Sequence, residues 1–168
     1  MIVNEYFIRQ KADPILRQLA VAVDEPLPNP KVQAIIRSMS QVLEAEKDGV
    51  ALAAPQIGLA VRIFIISPRV LPDRKTDLVF INPRIVKRSR RCVELVEGCL
   101  SVRQLYGKIK RHEKVTVEAQ DENGQRFTRH TSGLLAQIVQ HEIDHLDGQL
   151  FTDRARELEE LPPPPDEH

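Results

Sequence analysis

Six consecutive residues, Gln140-His141-Glu142-Ile143-Asp144-His145, constrain this chain more than any other stretch. Around them Leu134, Leu135, Ile138, Val139, Ile143 and Leu146 recur at helical spacing, which predicts a mostly buried helix. At about 100° per residue, His141 and His145 fall about 40° apart around that helix and one turn apart along it, with Glu142 offset to the side. The fold must therefore set two imidazoles and two carboxylates against an apolar core, where burial without partners costs several kcal/mol. Two readings meet that demand. Either the histidines share a metal ion and Glu142 acts as general base on a water, or they form a polar helix face satisfied by hydrogen bonds.

A catalytic metal needs a third protein ligand and an open position for water. The extended pattern HExxHxxGxxH has Gly148 in place, but its last position is Phe151, which cannot bind metal. A downstream glutamate would have to be Glu167, beyond four consecutive prolines, or come from Glu157 to Glu160, which reads as an exposed helix end. Upstream, Glu97-Gly98-Cys99-Leu100-Ser101 offers a thiol whose pKa an adjacent cation would lower. Taken alone, Cys99 is either that ligand or a buried inert thiol. Two cysteines, Cys92 and Cys99, suit a reducing compartment, where a thiol is more often a ligand or nucleophile than half of a bridge. His112, His130 and His168 lie near charged or turn-like segments and are expected to be solvated.

The rest of the chain sets the frame. At 168 residues it is about one domain long and can bury a core without staples. Lys plus Arg and Asp plus Glu number 24 each, so no bulk attraction to nucleic acid or an anionic membrane is expected. The opening residues have no apolar run of signal-peptide length, and Glu5 and Asp13 are unlike a transit peptide. Asn29 and Pro30 predict a helix start, continued by Val32, Ile35, Ile36, Met39, Val42 and Leu43 and ended near Gly49. Val61 to Ile66 and Leu78 to Ile81 are strand-like, as is the alternation of Val115, Val117 and Ala119. The turn at Asp121 to Gly124 leads into another strand-like run, Arg126 to His130. Helix, short strands, then helix is the order of an α+β domain, not of an alternating parallel sheet. Residues 1–160 are expected to form one domain, and 161–168, with Pro162 to Pro165, a disordered or extended acidic tail.

Three blocks in order, Gly49-Val50-Ala51-Leu52-Ala53-Ala54-Pro55-Gln56, Glu97 to Ser101 and Gln140 to His145, resemble peptide deformylase, as does the opening Asp13-Pro14-Ile15-Leu16-Arg17. The resemblance spans roughly residues 5 to 155. It implies antiparallel sheets packed around a central HExxH helix, and an enzyme that removes the formyl group from the N-terminal formylmethionine of new proteins, releasing formate. It also implies one divalent ion, ferrous iron in the cell with zinc, nickel or cobalt as substitutes. The ligands carry over to Cys99, His141 and His145, the proton carrier to Glu142, and the oxyanion donors to Gln56 and the Leu100 N–H. The implied setting is a bacterial cytoplasm or an organelle, with the chain acting alone on formyl-methionyl nascent peptides.

Two positions depart from the family pattern: Ala51 replaces a usual glycine and Arg103 a usual proline. These keep in view an altered-substrate or non-catalytic relative, although such a relative would be expected to have lost Glu142, Gln56 or a ligand. The acidic, proline-rich end lacks the basic helix by which some members dock on the ribosome. A substrate with one side chain and a backbone is expected to pair with the strand edge at Gly49, Val50 and Ala51 and to bury its methionine near Leu134 and Ile138. Glu97 and Asp144 are the carboxylates expected to orient a ligand imidazole or to pair with Arg111 or Arg17.

Overall fold

In the computed structural model, residues 6–162 are described. The first helix, α1 (Pro30–Ala45), starts where the sequence predicts: the Asn29 side chain accepts from the Lys31 and Val32 N–H groups and Pro30 opens the helix. Eight strands follow in two sheets. The larger has the order β1 (Ala51–Ala53), β2 (Ile63–Ile66), β3 (Leu78–Arg88), β6 (Lys114–Gln120) and β7 (Arg126–Ser132). The smaller has the order β4 (Cys92–Cys99), β5 (Val102–His112) and β8 (Arg156–Glu160). Every pairing between these strands is antiparallel, so the fold is α+β. No helix among the described residues is long and apolar enough to cross a membrane.

The larger sheet is covered on both faces. The second helix, α2 (Gly133–Leu146), sends Ala136, Ile138, Val139, Ile143 and Leu146 into a core with Ala51, Ala53, Phe64, Ile66, Phe80 and Val117. On the other face α1 packs Val32, Met39, Val42 and Leu43 against Leu52, Ile63, Ile65, Val79 and Ile81. Covering both faces explains why β2 and the start of β3 are unbroken apolar runs while β6 alternates. Phe64 and Phe80 stack at 4.3 Å between ring centroids. The HExxH helix is therefore gripped by a sheet on one side, leaving its other side for the smaller sheet.

Three expectations are corrected. Helix α1 ends at Ala45 with Glu46 as its C-cap, so Gly49 is not the cap. Gly49 is a close approach instead: a Cβ there would lie 2.9 Å from Leu43 Cδ1 and 3.3 Å from Leu100 Cδ1. Glu157 to Glu160 form part of strand β8, not a helix end, because the start of β5 offers them a backbone to pair with. Leu161 is tied down too, its N–H donating to the Gln104 carbonyl at 2.8 Å. The remainder of the predicted tail, residues 163–168 with Glu167 and His168, lies outside the described residues.

Gly148 ends the α2 segment in a left-handed conformation, φ +71°, with its Cα against the backbone of Arg17. A Cβ would sit 2.6 Å from the Arg17 carbonyl oxygen, a backbone atom that cannot swing away. Gly148→Ala is expected to cost about 2 kcal/mol or more, lowering Tm by roughly 4–8 °C in thermal unfolding; an unchanged Tm would show that this turn relaxes freely.

Candidate metal centre

Strand β4 and helix α2 bring the predicted ligands together. Cys99 Sγ lies 3.2 Å from His145 Nε2, and one donor atom each of Cys99, His141 and His145 fall within 4.8 Å of one another. A thiolate and two imidazoles are a donor set suited to zinc or ferrous iron. The residues fit an ion on chemistry as well as distance. Burial would keep Cys99 and His141 neutral, but their mutual attraction, with His145 beside the sulfur and Glu97 beside His141, overrides it. The Cys99 pKa is held well below that of an ordinary thiol and that of His141 well above that of an ordinary imidazole. The thiolate that a metal requires is thus favoured by the protein itself.

Glu142 is next to His141 in the chain and is not among the three residues whose donor atoms converge. Its Oε2 is buried with no hydrogen-bond partner. Burial pushes its carboxyl up to about 7, opposed by His141 and His145 and aided by the Cys99 and Glu97 charges. A carboxyl that exchanges its proton near neutrality is what general acid–base chemistry uses.

Behind His141 runs a buried chain of charges. Its Nδ1 donates to Glu97 Oε2 at 2.8 Å. Arg111, 3% exposed, grips both oxygens of Glu97 at 2.7 and 2.9 Å and reaches Asp144 Oδ2 at 2.6 Å. Arg154 meets the same Asp144 oxygen at 2.6 Å. Of the two expected carboxylates, Glu97 orients an imidazole and Asp144 anchors the arginine that holds Glu97. Arg17 takes no part, pairing instead with Asp153. Gln140 fixes the helix to the smaller sheet by accepting from the His112 N–H at 3.0 Å and donating to the His112 carbonyl at 2.9 Å. His112 itself is half-buried, its Nδ1 2.8 Å from the Ser89 carbonyl, and His130 meets Thr116 at the surface.

Gln56 enters from the short turn after β1. Its Oε1 accepts from the Ala53 N–H at 2.9 Å, which aims Nε2 at Ser101 Oγ, 3.2 Å away, and at Cys99 Sγ, 3.6 Å away. Leu100 follows Cys99 in the turn between β4 and β5 and its carbonyl accepts from the Gln10 side-chain amide at 3.1 Å; the backbone N–H that reaches Cys99 Sγ, at 3.4 Å, is that of Ser101. The centre opens into a cleft of about 730 Å³ lined by Gly49, Val50, Ala51, Leu134 and Ile138, all of the residues expected there. It lies between two strand edges, β1 at the end of one sheet order and β4 at the end of the other. The sequence gives no sign that Val96, Gln104, Tyr106, Gln137, Leu161 and Pro162 also line it. Pairing across β4, β5 and β8 brings most of these in, and such pairing leaves little trace in local periodicity.

A family model described as polypeptide deformylase matches residues 6–161. The chain is 42% identical over 150 residues to peptide deformylase 2 of Clostridium acetobutylicum, covering 89% of this chain and 95% of that relative. It is also 42% identical over 164 residues to the peptide deformylase of Thermomicrobium roseum, covering 94% and 89% of the two chains. Among solved structures it is similar to a peptide deformylase from Synechococcus elongatus in complex with actinonin, with a TM-score of 0.82 and 36% identity over 93% of this chain and 81% of that one.

Burial alone would raise the Glu97 carboxyl, but the hydrogen bonds from Arg111 and His141 lower it to about 2. A depressed folded pKa gives stability that is present above the unfolded value near 4.5 and is lost as pH falls through about 2. The unfolding free energy in urea is therefore expected to drop over that interval. Glu97→Gln, which leaves Arg111 beside a neutral amide, is expected to cost about 3–5 kcal/mol at neutral pH and to flatten the acid slope. A wild-type protein with level stability over that interval would show that Arg111 does not hold Glu97 ionised.

Proposed function

This chain belongs to the polypeptide deformylase family, and we propose that Cys99, His141 and His145 hold its divalent ion while Glu142 moves the protons. The enzyme hydrolyses the N-formyl amide of newly made peptides, as its family does. What carries the residue assignment is the convergence of a thiol and two imidazoles at the base of a cleft, with a partnerless carboxyl beside them.

An ion in that position supplies Lewis acidity and lowers the pKa of water toward neutrality. Glu142 Oε2, free of other hydrogen bonds, takes a proton from the attacking water and returns it to the leaving amine. As charge builds on the formyl oxygen, the Gln56 amide and the Leu100 N–H meet it. The Ala53 N–H holds the Gln56 side chain so that its NH₂ end faces the reaction. Losing one donor of this kind costs about 3 kcal/mol in the transition state. Glu97 keeps the His141 Nδ1 proton in place, leaving Nε2 to face the ion.

Ferrous iron is the ion we favour in the cell, with zinc, nickel and cobalt compatible with the same thiolate-containing set. We place the enzyme in a bacterial cytoplasm or an organelle, acting as a single chain. The stretch that follows helix α2 forms strand β8, with Glu157, Glu159 and Glu160, and not a basic helix. The peptide backbone is proposed to pair with the β1 edge at Val50 and Ala51, and its methionine to enter between Leu134 and the buried Ile138.

Two experiments test this. With formyl-methionyl peptides and iron-loaded protein, Glu142→Gln is expected to retain its metal and release formate about 100-fold more slowly or worse; a metal-free variant would make Glu142 a ligand instead. Ala51 lines the cleft while packing into the α2 core, so Ala51→Val is expected to raise KM severalfold, with Tm followed alongside to separate repacking of that core, while Ala51→Gly preserves or lowers KM. Identical kinetics in all three proteins would remove the peptide from this strand edge.

A further inference from the structure

Arg69 stands just past strand β2, in a single 3₁₀ turn, Pro68–Val70, whose entry is fixed by the Arg69 N–H donating to Ser67 Oγ at 3.2 Å. Its side chain reaches back over the end of α1. Nη1 donates to the Glu46 carbonyl at 2.6 Å and to the Gly49 carbonyl at 2.8 Å, and Nη2 to the Glu44 carbonyl at 3.0 Å. The last carbonyls of a helix have no partners within it, and a cation placed there also meets the negative end of the helix dipole. Helix α1 has no basic residue in its own last turn, so Arg69 supplies that charge from another element. Gly49 lies outside the helix, and a helix cap alone has no need of it.

The Gly49 carbonyl joins this clamp to the cleft. The Gly49 N–H donates to the Glu46 carbonyl at 3.2 Å, so both of its backbone groups are engaged. One residue on, the Val50 carbonyl accepts from the Ser67 N–H at 2.8 Å. Backbone groups alternate in direction along an antiparallel strand, so with Val50 turned to β2 the N–H and C=O of Ala51 face the open edge. Asp48, Gly49, Val50 and Ala51 all line the cleft, and Arg69 does not. We propose that Arg69 is a positioning residue for substrate binding: by clamping the turn from Glu46 to Gly49 against the end of α1, it holds the Ala51 edge where a peptide backbone can pair with it. The inference rests on the proposed pairing of the peptide with β1 and adds to it a residue outside the cleft.

The test measures formate release from formyl-Met-Ala-Gly amide by iron-loaded wild type, Arg69→Met, Arg69→Lys and Asn29→Ala. Arg69→Met keeps an unbranched chain and loses every donor. Its KM is expected to rise about 10-fold with kcat within about twofold and iron content unchanged, the pattern of lost binding without lost chemistry. Arg69→Lys, whose ammonium still reaches the Glu46 and Gly49 carbonyls but cannot fork to Glu44, is expected to raise KM about threefold or less. Asn29→Ala removes the cap at the other end of the same helix and is expected to lower Tm while leaving KM alone. A wild-type KM in Arg69→Met would overturn the proposal. So would an equal rise in Asn29→Ala, which would make the effect a general loosening of α1. If Arg69→Met does not fold, Arg69→Gln is judged by the same outcomes. Ala51→Val separates the two readings: if it raises KM and Arg69→Met does not, the pairing with β1 stands and the role of Arg69 falls. If neither moves KM, the pairing falls and takes the proposal with it.

Discussion

The grip of Arg111 on Glu97 is the interaction on which the rest of the centre depends. Arg111 comes from β5, Glu97 from β4, and His141 and Asp144 from α2, so one buried guanidinium joins two strands of the smaller sheet to the HExxH helix. Buried ion pairs are weak evidence for stability, because desolvation offsets much of the attraction. Their return here is geometric. Arg111 takes one side of both Glu97 oxygens, which fixes the carboxylate so that the free side of Oε2 accepts the hydrogen bond of His141 Nδ1. The imidazole tautomer and the tilt of its ring follow from a contact that never meets the substrate.

The sequence makes the helices and the centre of the larger sheet legible, and for a physical reason. Local capping at Asn29 and the apolar spacing of α1 and α2 are written in adjacent residues. The runs at β2 and β3 are unbroken because both faces are covered. The ligand pair His141 and His145 is legible because a helix fixes i and i+4 together. Cys99 is not legible in this way. Its place depends on the pairing of β4 with β5 and on the docking of α2, whose His145 lies 46 residues further along the chain, and the residues alone left it open between ligand and inert thiol until its motif block enters the family resemblance.

Strands β4 and β5 themselves left a poor trace. Glu94, Arg103, Lys110 and other exposed charged residues interrupt their apolar positions, and neither strand is expected from the sequence. The acidic stretch at Glu157 to Glu160 misled for the same reason. Isolated from β5 it resembles a solvated helix end; beside β5 its backbone completes a sheet, and Lys108 reaches Glu157 at 2.6 Å. Strand β8 ends at Glu160, and Leu161, just before the proline run, is held against Gln104.

Sheets that end in open strands invite other chains to add to them, and such addition is a common start to aggregation. Among the described residues four edge strands are of that kind, β1 and β7 in one sheet and β4 and β8 in the other. The outer two carry the usual deterrents, arginines 126 and 129 on β7 and three glutamates on β8. The inner two carry almost none, yet they face each other across the cleft beside α2. Facing inward, they stay available to a single extended peptide and are withdrawn from the flat encounters that build fibrils. A geometry that leaves room for one extended chain between two edges also keeps those edges from being taken up by another molecule's sheet.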